Sequence, residues 1–129
     1  MDWPHRMNLI MDYVEENLCS CISEQAIAKI AACPYSVFQA SFSQITGFSF
    51  SEYVRRRRLT CAAHDLQNTN EKVIDIALKY GYQSADAFRV AFRALHHLSP
   101  TEARKNSAHL TFYCRLYFEI TVKGVQKLH

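Results

Sequence analysis

The sequence predicts a mainly α-helical fold, with two helix-turn-helix subdomains joined by a long linker helix and followed by a C-terminal β-strand. Three observations carry this. The stretch "AIAKIAACPYSVFQASFSQITGFSFSEYV" aligns with "DIALKYGYQSADAFRVAFRALHHLSPTEA", pairing Ile27-Ala28 with Ile76-Ala77, Phe38 with Phe88 and Phe42 with Phe92. A Ser-x-x-Glu capping box occurs at Ser49–Glu52 and again at Ser99–Glu102, with Pro100 at the favoured first-turn position. Between Leu110 and Lys123, apolar and polar residues alternate without a miss, the period of a strand.

The elements follow in order. Trp3, Met7, Ile10, Met11, Val14 and Leu18 recur at helical spacing, so a helix is expected from Trp3 to about Leu18, with Asp2 as its cap. Ser23 caps a short helix that turns Ile27, Ile30 and Ala31 inward, and "ACPY" ends it. From Pro34, Val37, Phe38, Phe42 and Ile45 form the inner line of the next helix until Thr46-Gly47 stops it. "EYVRRRRLTCAAHDLQ" joins this copy to the next, and Asn68-Thr69-Asn70 punctuates before the repeat begins. Each copy is a short helix, a tight turn and a second helix with aromatic residues four apart, a helix-turn-helix. Two such units in register are far harder to produce by chance than one.

Composition narrows the function. Nearly half of the 129 residues are apolar, and Gly and Pro number three each, so the chain packs. No apolar run reaches the roughly 20 residues needed to cross a bilayer. The acid-bearing start is unlike a signal peptide, so a cytoplasmic location without membrane contact is expected. Five cysteines lack CxxC spacing and adjacent His96-His97 side chains diverge on a helix, so neither a metal site nor a cofactor is expected. There is no Gly-rich phosphate loop and no paired catalytic carboxylates, hence no expectation of an enzyme. Charge is lopsided: residues 1–50 carry two Lys/Arg against five Asp/Glu, and the remainder thirteen against seven. A cationic C-terminal part fits an anion-facing side.

With these residues in place, the chain resembles the DNA-binding domain of the AraC/XylS family of bacterial transcription regulators. The likeness runs from about Met7 to Lys105 and is carried by "TGFSFSEYVRRRRL", "VIDIALKYGYQSADAF" and "AF…LSPTEARK". The terminal "LTFYCRLYFEITVKG" looks like the opening strand of the GyrI-like effector-binding domain found in one branch of that family. The resemblance implies a DNA-binding domain over residues 1–107 and the start of a truncated effector domain over 108–129. It also implies seven helices, with two recognition helices entering successive major grooves of double-stranded DNA. A linker of some sixteen residues spans about 24 Å, which suits readers one helical turn of DNA apart.

The first recognition helix is expected at about Pro34–Gln44 and the second at about Ala85–Leu95. Matching the family's base-reading positions gives Ser36, Gln39 and Ala40 in the first, with Ser43 exposed beside them. Gln39 is suited to pair bidentately with adenine. The second presents Ala85, Asp86, Arg89, Val90 and Arg93, where Arg89 suits a guanine or phosphate and Arg93 a phosphate. Many family members carry arginine where this chain has Ala40 and Val90. In the four-arginine run, Arg55 and Arg58 are expected near the buried stripe and Arg56 beside Glu52. Arg57 is expected to be the most exposed, with an auxiliary phosphate role. The leading reading is a transcription regulator that binds DNA, with RNA polymerase a candidate partner. The alternative is an interaction module of the same fold that has lost specific reading and dimerises through its terminal strand.

Overall fold

A computed structural model of the chain describes residues 2–105 and 110–120, so the expected domain boundary at 107/108 and residues 121–123 of the expected strand lie outside it. Among the described residues there are seven helices: α1 (Trp3–Glu16), α2 (Glu24–Ala31), α3 (Tyr35–Thr46), α4 (Phe50–Asn68), α5 (Val73–Lys79), α6 (Ala85–His96) and α7 (Pro100–Lys105). None is long and apolar enough to cross a membrane.

The predicted caps form. Asp2 accepts from the His5 amide, Ser23 from Ala26, Ser49 from Glu52 and Ser99 from Glu102, each satisfying an amide that the first turn leaves without a partner. The glutamates of both capping boxes turn elsewhere. Glu52 takes Arg55 and Arg56, and Glu102 takes Arg93, because a guanidinium is a stronger partner than the Ser amide.

The duplication extends to the backbone. The Cys33 amide donates to Ala28 as Tyr82 does to Ala77, and Gly47 donates to Ser43 as His97 does to Arg93. Left-handed residues stand at the same two places in each copy: Ala32 and Gly81 in the turns, Gly47 and His97 at the ends of α3 and α6. Ile27 and Ile76, Phe38 and Phe88, and Phe42 and Phe92 are all buried. Phe38 and Phe42 meet Phe50 edge-on at 5.0 and 5.4 Å and each other at a tilt, 5.9 Å between centroids. In the second copy Tyr82, Phe88, Phe92 and His96 do the same work. Two residues expected in the first core are not there: Val37 is 49% exposed and Ile45 53%. Phe38 and Phe42 fill the space between α2 and α4, leaving Val37 a helix step of 100° to the side and Ile45 beyond the aromatic cluster in the last turn.

Helix α4 packs on α3 near its start and on α5, α6 and α7 along the rest, so it is the frame on which both units sit. At 19 residues it is about 28 Å long. Its far end is tied by Asp65, which accepts from Tyr80 Oη at 2.7 Å and Lys79 Nζ at 2.9 Å. Arg104 of α7 donates to the carbonyls of Leu66 and Glu71.

The expected C-terminal strand does not form among residues 110–120. Those residues run as a strap across α6, α4 and α1, with no backbone-to-backbone partner among the described residues. A strand needs a neighbouring strand for its ladder, and the described residues offer none. Side chains take that place. The alternation also breaks, since Leu110, Tyr113, Leu116 and Phe118 lie against the core while Phe112 and Ile120 are exposed. Trp3, expected on the apolar face of the first helix, meets Phe118 edge-on at 5.6 Å.

Candidate nucleic-acid interface

A helix-turn-helix presents the outer face of its second helix, and here those helices are α3 and α6. On α3, Ser36 and Ala40 are exposed while Gln39 and Ser43 are half-buried, all on the side away from Phe38 and Phe42. Gln39 sits beside the Tyr35 hydroxyl, which burial, then the charge of Glu24, pushes above its ordinary pKa. No residue of α3 is charged. On α6, Asp86, Arg89, Val90 and Arg93 are exposed and Ala85 half-buried, with Val90 73% open.

The charges on α6 are paired off. Arg89 Nη1 lies 2.9 Å from Asp86 Oδ1, one turn back on the same helix, and Arg93 Nη2 lies 3.3 Å from Glu102 Oε1 on α7. Such exposed pairs are worth well under about 1 kcal/mol, so a phosphate or guanine edge outcompetes them readily. Asp86 therefore holds Arg89 rather than standing alone, and it also places a negative charge at the positive end of α6.

Between the two readers lies a cleft of about 340 Å³ lined by Tyr35, Phe50, Ser51, Val54, Arg55, Arg58, Tyr80, Gly81 and Tyr82. It opens between the first residue of α3 and the turn before α6. Arg55 and Arg58 bring positive charge to it, and they are steadied there. Arg55 grips both oxygens of Glu52 at 2.9 and 3.0 Å, and Arg58 donates to the carbonyls of Leu18 and Ser20 at 2.9 and 2.8 Å. Both are expected near the buried stripe of the helix; the fold also brings the turn of the second unit up against them.

Arg57, expected to be the exposed member of the run, is the reverse. Its side chain is 13% exposed, its Nε and Nη2 meet Glu15 of α1 at 2.6 and 3.1 Å, and its Nη1 donates to the Tyr113 carbonyl of the strap. Two residues on from Arg55, a turn of about 200° carries it from the cleft side to the strap side of α4. Arg56 bonds Glu52 at 3.1 Å as expected, and lies between the rings of Phe48 and Tyr113, 4.7 and 4.8 Å from their centroids.

Two helix-turn-helix units carried on one shared helix, with two outward helices and a basic cleft between them, define a module of the double-reader kind. A family model described as "Helix-turn-helix domain" matches residues 27–106. The activator AarP of Providencia stuartii is 40% identical over 92 residues, covering 71% of this chain and 68% of AarP. Among solved structures, an AraC-type transcriptional regulator from Chromobacterium violaceum is similar with a TM-score of 0.67 and 25% identity, covering 82% of this chain and 91% of that one. The DNA-binding domain of AdpA, solved with a target DNA, has the same fold with a TM-score of 0.66 and 22% identity, covering 78% and 89%. The chain belongs to the AraC-type helix-turn-helix family, and it is a DNA-binding transcription regulator of that family.

Proposed function

We propose that the chain reads double-stranded DNA through α3 and α6 in adjacent major grooves, with the second reader supplying most of the attraction. Ser36, Gln39, Ala40 and Ser43 are the contact positions of the first reader, and Ala85, Asp86, Arg89, Val90 and Arg93 those of the second. The observation that carries this is the matched exposure of the two helices on either side of a cleft holding Arg55 and Arg58. Gln39 supplies an amide for adenine, Arg89 swings from Asp86 to a guanine edge or phosphate, and Arg93 leaves Glu102 for a phosphate. With Ala40 and Val90 where arginine would read a guanine, discrimination is modest. Each missing bidentate contact removes about 1–3 kcal/mol.

A mobility-shift titration across a salt series tests the reading. Specific binding is expected to survive competitor DNA and to weaken with salt by a slope set by a few phosphate contacts. Equal micromolar affinity for every sequence would overturn specific reading and leave the interaction-module alternative. For that alternative, strand pairing between copies has lost its support, since residues 110–120 form no strand. RNA polymerase as a partner, and the likeness of the terminal segment to the start of an effector-binding domain, rest on the sequence resemblance.

A further inference from the structure

The strap is held in an unusual way. Four of its amides are each met by a side chain of the domain: Thr111 by His96 Nδ1 at 3.3 Å, Tyr113 by Thr60 Oγ1 at 3.0 Å, Leu116 by Tyr53 Oη at 3.0 Å and Phe118 by Asn8 Oδ1 at 2.7 Å. Two carbonyls are met as well, Tyr113 by Arg57 and Phe118 by Asn8 Nδ2 at 2.9 Å. Between these bonds Leu110, Tyr113, Leu116 and Phe118 sit against the core, and Arg115 pairs with Asp12.

These acceptors are themselves fixed. The Nε2 of His96 donates to the Leu59 carbonyl at 3.0 Å, which leaves Nδ1 bare for the Thr111 amide. Thr60, Tyr53 and His96 are buried polar residues whose polar atoms would otherwise need other partners. A surface that satisfies the backbone of a passing chain while offering places for alternate side chains has the physics of a peptide-recognition groove.

We propose that the face formed by α1, α4 and α6 is a groove for an extended peptide, that residues 110–120 are its resident ligand, and that seating them holds the two DNA readers in their working relation. The strap reaches from His96 on the second reader across the shared helix to Asn8 and Asp12 on α1, which packs on the first unit. The amide and Arg57 contacts lie on residues apart from α3's exposed face and the cleft, so the device acts through the frame rather than at the DNA. Only its effect on affinity rests on the DNA reading proposed above; the groove stands without it.

The test uses the full chain carrying Leu116→Asp with Phe118→Asp, and a fluorescein-labelled peptide of residues 110–120. The peptide is expected to bind this variant saturably and at least about tenfold tighter than the parent, whose groove is filled by a tethered competitor at an effective concentration on the order of millimolar. Adding Thr60→Val and Tyr53→Phe abolishes that binding. The variant's DNA affinity falls about fivefold or more and recovers when peptide is added. Equal peptide binding to parent and variant overturns the groove, and unchanged DNA affinity in the variant overturns its coupling to the readers. Hydrogen exchange on the parent chain decides the matter even where the variant does not fold. The amides of Thr111, Tyr113, Leu116 and Phe118 should exchange at least about tenfold more slowly than those of Phe112, Tyr117 and Glu119, and uniform rates overturn the proposal. A parent chain that binds no DNA removes the DNA reading and the coupling together, while peptide binding and exchange still judge the groove.

Discussion

Replacing each arginine of the run 55–58 singly by Met, which keeps most of the aliphatic stem, separates a structural run from a DNA-reading one. Arg57 bridges Glu15 with two bonds and the strap with a third, and the Arg57 and Glu15 side chains are only 13% and 19% exposed. Its loss strands a mostly buried carboxylate. Breaking such a pair costs roughly 3–5 kcal/mol when fully buried, and residual exposure brings this toward about 3. Arg55 and Arg56 share Glu52, so removing either leaves the carboxylate with the other, at a cost below about 1 kcal/mol. Arg58 loses two bonds to neutral carbonyls, about 1–2 kcal/mol. Urea denaturation of the four variants should therefore single out Arg57→Met by a drop of roughly 2 kcal/mol beyond Arg55→Met or Arg56→Met, with an unchanged denaturant slope. Arg57→Met should also leave the salt dependence of DNA binding unaltered. Stability equal to that of Arg56→Met, or a salt slope lowered by about one, would refute this placement of the run.

Three further outcomes follow from particular residues. Ala32 sits in the left-handed region at φ 58°, where its repeat counterpart is Gly81. Ala32→Gly should raise stability by about 1 kcal/mol and Gly81→Ala lower it by as much or more, read by thermal melting. Burial, with the neighbouring His97 adding to it, holds His96 below the ordinary histidine pKa, against the raising effect of its bond to Leu59. The unfolded chain then takes up the proton first, so stability should be full above about pH 6.5 and decline as pH falls below it. His96→Gln should flatten that decline in urea titrations at pH 5.5 and 7.5. Ala40→Arg and Val90→Arg should each tighten binding to a selected site by about 1–3 kcal/mol in mobility shifts, and no gain from either would count against α3 and α6 as the readers.

The helical frame was legible because its signals are local. Ser23, Ser49 and Ser99 cap the first turn of the helix that follows each, and the phenylalanines four apart mark one face whatever lies opposite. What failed depends on distant neighbours. Arg57 reads as exposed from α4 alone, and becomes buried only because α1 brings Glu15 and the strap brings Tyr113 to the same side. The terminal segment alternates like a strand, yet period alone cannot supply a ladder, and Tyr53, Thr60 and Asn8 became its partners instead. The cleft arginines were hidden for the same reason, since Gly81 and Tyr82 stand more than twenty residues from Arg55 and Arg58. The exposed face of α6 followed from its core positions, whereas on α3 Val37 and Ile45 came out exposed against expectation, and the pairing of Arg89 with Asp86 and of Arg93 with Glu102 was not legible.

The duplication is most informative where its copies diverge. Each unit needs a left-handed residue in its turn and another at the end of its recognition helix; the first unit has Gly only at the second place and the second unit only at the first. The backbone plan is thus kept in both while the side chains drift. The proposed interface drifts further, for α3 carries no charge and α6 carries two arginines held by acids. On the reading proposed above, counterion release, a large source of affinity for DNA, belongs to the second reader and to Arg55 and Arg58 in the cleft. Blocking phosphates by ethylation should interfere with binding chiefly at the α6 half-site and between the half-sites, with weak interference beneath α3. Equal interference at both half-sites would mean that α3 draws its hold from backbone amides or hydroxyls such as Ser36, and that charge is a poor guide to which reader carries this complex.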